Sequence, residues 1–169
     1  MRHLGLTIAT MGVVGGLCAA LAGCGKSGDS STATPPAAAP AAPPTAEQAK
    51  ALVAELGPAY AAADLANGEA KFAMCRSCHT TAAGGPNMTG PNLHGVFGEK
   101  AGADVGGFAF SDALKASGIV WDAGKLDAWI TSPRTLVPGT KMSFAGLSDP
   151  KDRTDVIAYL KVQTSDLPK

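Results

Sequence analysis

Every one of the chain's nine aromatic residues lies at or beyond Tyr60. Large apolar side chains dominate protein cores, so a packed domain must be assembled from residues 60–169. The segment before them is rich in small residues and proline. Because 32 of the apolar residues are alanine, the apolar fraction of 46% overstates what can be buried. Residues 60–169 carry 11 Lys and Arg against 11 Asp and Glu, and the whole chain balances at 14 to 14. That argues against a nucleic-acid binder whose affinity rests on bulk positive charge. Four cysteines are too few for a disulfide-dense scaffold, and their unequal spacing suggests different roles.

Residues 1–23 read as an export leader, with Arg2 and His3 before an uncharged apolar run from Leu4 to Leu17. Leu21-Ala22-Gly23-Cys24 follows and is similar to the bacterial lipobox, in which the leader is cut before a cysteine that then carries lipid. Cys24 is therefore the candidate lipidation site. The alternatives are an uncleaved signal anchor, since Leu4 to Cys24 is close to the roughly 20 residues that span a bilayer, and ordinary soluble export. With either lipobox or anchor the product is tethered outside the cytoplasm. Cys18, inside the apolar run, is a bystander.

Residues 24–59 form a linker rich in Ala, Pro and Ser. Up to Pro44 it cannot bury enough apolar surface to offset its ordering entropy. In polyproline geometry residues 25–44 reach at most roughly 60 Å, at about 3.1 Å per residue. Thr45 and Gln48 stand at capping-box spacing, which predicts a short helix over 45–56 ended by Gly57-Pro58. Further helices are expected over 64–78, over 122–131 behind an Asp cap, and over 148–162. In the last, Ser148 or Asp149 is the cap and Val156, Tyr159 and Leu160 share a face. Residues 84–107 hold eight glycines and read as loop. Alternating strand patterns are missing. The domain at 60–169 should be small and all-α, with long loops that need something to wrap around.

Cys75-Arg76-Ser77-Cys78-His79 is C-x-x-C-H, the attachment pattern for haem c. Positions i and i+3 share a helix face, so both thiols can add to the vinyl groups on one porphyrin edge. His79 follows at once and can reach the iron as proximal ligand. A chance match is on the order of one in several hundred for a chain of this composition. Other readings of the pair are weaker. Zinc wants four ligands, and the domain offers no other cysteine and one further histidine, His94. A redox C-x-x-C would sit in a βαβ pattern, which is missing here, and a structural Cys75–Cys78 disulfide is the remaining minor alternative. For the iron's other face the candidates are Met88, Met142 and His94. Met142 follows the turn Pro138-Gly139-Thr140-Lys141 on a separate segment that can cover the opposite face. Met88, nine residues past His79 in a Gly/Pro loop, would have to cross the porphyrin edge at once, which chain reach does not forbid, and reads rather as a loop residue. A thioether favours ferrous iron and raises the reduction potential.

Residues 66–162 resemble class I cytochromes c of the mitochondrial-like bacterial type, monohaem proteins. The matching segments are the pentad at 75–79, Thr89-Gly90-Pro91-Asn92-Leu93-His94-Gly95-Val96-Phe97-Gly98 and Gly118-Ile119-Val120-Trp121. Val137-Pro138-Gly139-Thr140-Lys141-Met142, Phe144-Ala145-Gly146 and Asp155-Val156-Ile157-Ala158-Tyr159-Leu160 complete them. The resemblance implies a class I cytochrome c fold around one covalent haem c, with Cys75, Cys78, His79, Pro91, Trp121 and Met142 binding the cofactor and His79 and Met142 ligating iron. Pro91 would accept a hydrogen bond from the His79 ring. Trp121 would donate to a haem propionate. Gly68 and Phe72 would pack against Tyr159 and Leu160, Phe144 would shield Met142, and His94 would be a loop hydrogen-bonder.

Four residues depart from the family pattern: Glu99 near the propionates, where Lys100 is the nearby cation, Phe110 and Trp129 in place of tyrosines, and Leu114 in place of an asparagine. They bear on potential and pH behaviour rather than on identity. The implied function is a membrane-tethered one-electron carrier on the periplasmic side, not an enzyme. Its partners would be redox proteins, a quinol-oxidising complex as donor and a terminal oxidase or similar as acceptor, with neither a nucleic acid nor a small-molecule substrate. Lys71, Arg76, Arg134 and Lys141 are candidates for a basic rim at the haem edge. The rival functions are a peroxidase-like or small-ligand-binding haem protein and a permanent haem subunit of an oxidase or dehydrogenase.

Overall fold

The computed structural model describes residues 43–166; the leader at 1–23, Cys24 and the spacer as far as residue 42 lie outside the described residues. Among the described residues six helices follow one another: α1 Ala46–Ala54, α2 Leu65–Arg76, α3 Asp112–Ala116, α4 Ala123–Thr131, α5 Pro133–Leu136 and α6 Pro150–Thr164. A single 3-10 turn, Pro58–Tyr60, links α1 to α2. The described residues contain no strand, only an isolated antiparallel bridge between Lys100 and Val120. The all-α expectation holds.

Local chemistry sets the helix starts. Thr45 Oγ1 accepts from the Gln48 N–H at 3.3 Å while Gln48 Oε1 accepts from the Thr45 N–H at 2.9 Å, a complete capping box. Asp64, Asp122 and Asp149 cap α2, α4 and α6 by accepting first-turn N–H groups. Asp149 rather than Ser148 does this for α6, with Pro150 in the first turn. The short α3 and α5 go beyond the sequence expectation. Ser111 Oγ accepts from the Leu114 N–H to start α3, and Pro133 opens α5.

α2 crosses α6 at Gly68. A Cβ there would overlap the Asp155 carbonyl and lie 2.8 Å from Tyr159 Cβ, so the helices meet backbone to backbone. Phe72 then packs on Tyr159 with ring centroids 5.5 Å apart. Beside this contact Asp155, 1% exposed, accepts from the Asp64 N–H at 2.9 Å, from Asn67 Nδ2 at 2.7 Å and from Lys151 Nζ. α1 packs elsewhere on α6: its Ala49, Leu52 and Val53 cover Ala158 and Val162, and Glu55 pairs with Lys161 at 2.8 Å. Val156 and Leu160, on the opposite side of α6 by helical periodicity, face a cavity.

Candidate functional site

Cys75, Cys78, His79, Pro91, Trp121 and Met142 all line one cavity of about 340 Å³ with a mainly apolar wall. Cys75 sits in the last turn of α2. The N–H groups of Cys78 and His79 both donate to the Cys75 carbonyl at 3.0 Å, so the turn carries on past the helix end and keeps both thiols and the imidazole together. Both thiols are free. Burial and the neighbouring Cys78 push the Cys75 thiol up to about 11, so it stays protonated at neutral pH.

His79 Nδ1 lies 2.8 Å from the Pro91 carbonyl. Burial lowers the imidazole below its usual range against the opposing pull of that bond, which keeps the ring neutral. A neutral ring with its Nδ1 proton on a carbonyl has its lone pair on Nε2. The loop reaches this position because residue 90 is glycine: a Cβ there would lie 2.7 Å from His79 Nδ1. The Gly90 N–H also donates to the Cys78 carbonyl at 2.9 Å.

Met142 comes from a turn in which Gly139 has a φ of +89° and the Thr140 N–H donates to the Val137 carbonyl at 3.1 Å. Thr140 Oγ1 accepts from the Met142 N–H at 3.3 Å. Met88 is 48% exposed and forms no part of the cavity wall. His94 does touch the wall, but its Nε2 lies 3.3 Å from Asp166 Oδ1 and its backbone N–H donates to Asn92 Oδ1.

The departures from the family pattern cluster here as well. Trp121 and Trp129 meet edge to face with centroids 5.3 Å apart. Phe110 stacks edgewise on Phe108 at 4.9 Å, and Leu114 is buried. Phe144 lines the wall, and Glu99 and Lys100 stand side by side on it, both solvent-exposed. The basic rim is thinner than its four candidates suggest. Lys71 is paired to Asp152 at 2.7 Å, and Arg76 reaches back to Glu69 and the Tyr159 hydroxyl. Of the four, Lys71 and Lys141 border the cavity, and Lys141 Nζ donates to the Ala109 carbonyl.

Three contributors escaped the sequence reading: Gly90 against the imidazole, and Asn87 and Asn92 on either side of Pro91. The signal available was their flanking of a ligand-bearing loop, but nothing in a glycine-rich stretch indicates which amide meets which backbone group. Val156 and Leu160, which share a face with Tyr159, pack in one buried cluster with Phe72 and also line the cavity wall.

The donor set fits haem c: two free thiols a helical turn apart, a neutral imidazole with Nε2 available, and a thioether on the same apolar cavity. Known proteins agree with that chemistry. The cytochrome c family model matches residues 65–164. Cytochrome c2 of Rhodomicrobium vannielii is 47% identical over 105 residues, covering 62% of this chain and 83% of its own. Cytochrome c2 of Blastochloris viridis is 44% identical over 115 residues, covering 68% and 89%. Among solved structures, cytochrome cH from Methylobacterium extorquens superimposes with a TM-score of 0.55 at 53% identity, covering 58% of this chain and 97% of that one. The chain belongs to the cytochrome c family, as a bacterial-type class I c-type cytochrome that carries one covalent haem c and transfers electrons rather than acting as an enzyme.

Proposed function

We propose that this carrier works tethered to a membrane on the periplasmic side, with Cys75 and Cys78 in thioether links to the haem and His79 and Met142 as axial ligands. One observation carries the ligand set: all four side chains meet on a single apolar cavity, with His79 Nδ1 held by the Pro91 carbonyl. The bound haem supplies a one-electron ferric/ferrous couple. Pro91 fixes the imidazole tautomer and raises the ring's basicity, and Met142 offers a soft neutral donor. Trp121, on the same cavity wall, donates its indole N–H to a propionate in this reading. With His79 and Met142 both bound to it, the iron would offer no free site to a substrate.

The tether follows from sequence alone. Removal of residues 1–23 leaves Cys24 as the lipidated terminus, the linker runs through 24–59, and the haem domain is 60–169. No helix among the described residues is long and apolar enough to cross a membrane. Residues 45–56 belong in practice to the folded part, because α1 packs on α6. The redox partners are a quinol-oxidising donor complex and a terminal oxidase or similar acceptor. Balanced charge and the partly paired rim support a modest salt dependence of the electron-transfer rate.

Visible and near-infrared spectra of ferric and ferrous protein test the ligand set. A six-coordinate His/Met spectrum is expected. Open ferric coordination, or rapid turnover of peroxide, would overturn it in favour of a peroxidase-like haem protein. For the tether, Cys24→Ser should move the protein from the membrane to the soluble fraction; retention at the membrane would point to an uncleaved anchor.

A further inference from the structure

The carbonyl that accepts from His79 and the N–H of Asn92 belong to the same peptide unit, and both of its ends are gripped. At one end the Pro91 carbonyl lies 2.8 Å from His79 Nδ1. At the other, the Asn92 N–H donates to Asn87 Oδ1 at 2.8 Å. Asn87 in turn donates from Nδ2 to the Val105 carbonyl at 2.7 Å and to the Gly106 carbonyl at 3.2 Å. An unbroken chain of hydrogen bonds thus runs from the imidazole through one peptide and one amide to the loop on the far side. The Asn92 side chain has separate work, donating to Thr80 Oγ1 at 2.6 Å and to the Ala82 carbonyl at 2.9 Å.

We propose that Asn87 is a positioning residue for the proximal ligand, which tunes the haem through the Pro91–Asn92 peptide. Accepting the Asn92 N–H draws charge along the peptide and makes the Pro91 oxygen a better acceptor; each bond in such a chain strengthens the next by about 10–30%. A better acceptor pulls harder on the Nδ1 proton. The ring then gains imidazolate character, which favours ferric iron and lowers the reduction potential. The proposal rests on His79 being the iron ligand.

The test is the reduction potential of the holoprotein, together with the proton NMR signal of the His79 ring N–H in the ferrous state, for Asn87→Ala and Asn87→Asp. Asn87→Ala removes the acceptor: the potential should rise, and the ring proton should move upfield and exchange about fivefold faster. Asn87→Asp keeps and strengthens the acceptor while losing both donor bonds: the potential should fall and the ring proton should move downfield. Both variants lose the grip on Val105 and Gly106, so a merely structural role would shift them in the same direction in step with stability. Shifts of the same sign would overturn the proposal. So would an unmoved ring proton in both variants, because an added charge acting only through space changes the potential without it. Absence of a haem-shifted His79 ring signal in the unsubstituted protein would instead remove the ligand assignment beneath the proposal.

Discussion

Gly68→Ala places one methyl group where α2 meets α6, and its effect can be worked from the structure. The added Cβ would overlap the Asp155 carbonyl oxygen and lie 2.8 Å from both the Asp155 carbonyl carbon and Tyr159 Cβ. Carbon atoms prefer separations of about 3.5–4.0 Å, so the helices must part by roughly 1 Å. The obstacle is backbone rather than the end of a flexible side chain, which puts the strain near the upper part of the range for overpacking, about 3 kcal/mol. Alanine's better helix propensity returns about 1 kcal/mol. The net loss should be about 2 kcal/mol, a fall in Tm of about 10 °C for a domain of this size. Gly124→Ala in α4 is the matched control, because its Cβ would meet only Asp122 Oδ1 at an ordinary 3.5 Å. That substitution should leave stability unchanged or raise it by up to about 1 kcal/mol. Thermal unfolding of both holoproteins, followed by circular dichroism and haem absorbance, decides the matter. Equal Tm changes in the two variants, or an unaffected Gly68→Ala, would refute the close-contact reasoning.

Two further outcomes are expected. Burial works against ionisation of Asp155, but the Lys151 ammonium, the Asn67 amide and the Asp64 N–H outweigh it and hold the carboxyl below its usual range. Its stabilisation is therefore fully present above the ordinary carboxyl value near 3.9 and is lost as pH falls through the lower folded value. Asp155→Asn should cost about 2 kcal/mol at neutral pH and flatten the acid limb in urea-unfolding measurements; parallel acid limbs would contradict this. Leu52→Ala, at a position 5% exposed, should cost about 2 kcal/mol and speed hydrogen exchange across α1. The haem spectrum should not change, because no α1 residue lines the cavity. A lost Met–iron band in this variant would show coupling that the packing does not predict.

Helix starts were legible because caps are local. Thr45, Asp64, Asp122 and Asp149 act on N–H groups two or three residues away, and that spacing is written in the sequence. α3 and α5 were missed because five- and four-residue helices have too few turns to show a period, although Ser111 and Ser132-Pro133 were the available marks. The site divided in the same way. Cys75, Cys78 and His79 share a turn, so spacing alone groups them. Met142 stands out from Met88 because it follows a turn on a separate segment able to cover the opposite face, and the cavity wall includes Met142 and excludes Met88. The contacts of Asn87 with Asn92, Val105 and Gly106 join segments of irregular loop whose path depends on packing, and no periodicity encodes them. The partial neutralisation of the basic rim was hidden for the same reason. Lys71 meets Asp152 only because α2 crosses α6 at Gly68.

The assignment of His79 and Met142 as the two iron ligands underlies the proposed function. Its most direct test is the proton NMR spectrum of the ferrous holoprotein, in which a methionine methyl over the porphyrin face is shifted far upfield by the ring current. This methyl signal should be present in the unsubstituted protein, be lost in Met142→Ala and persist in Met88→Ala. Its persistence in Met142→Ala, or its loss in Met88→Ala, would overturn Met142 as the iron ligand.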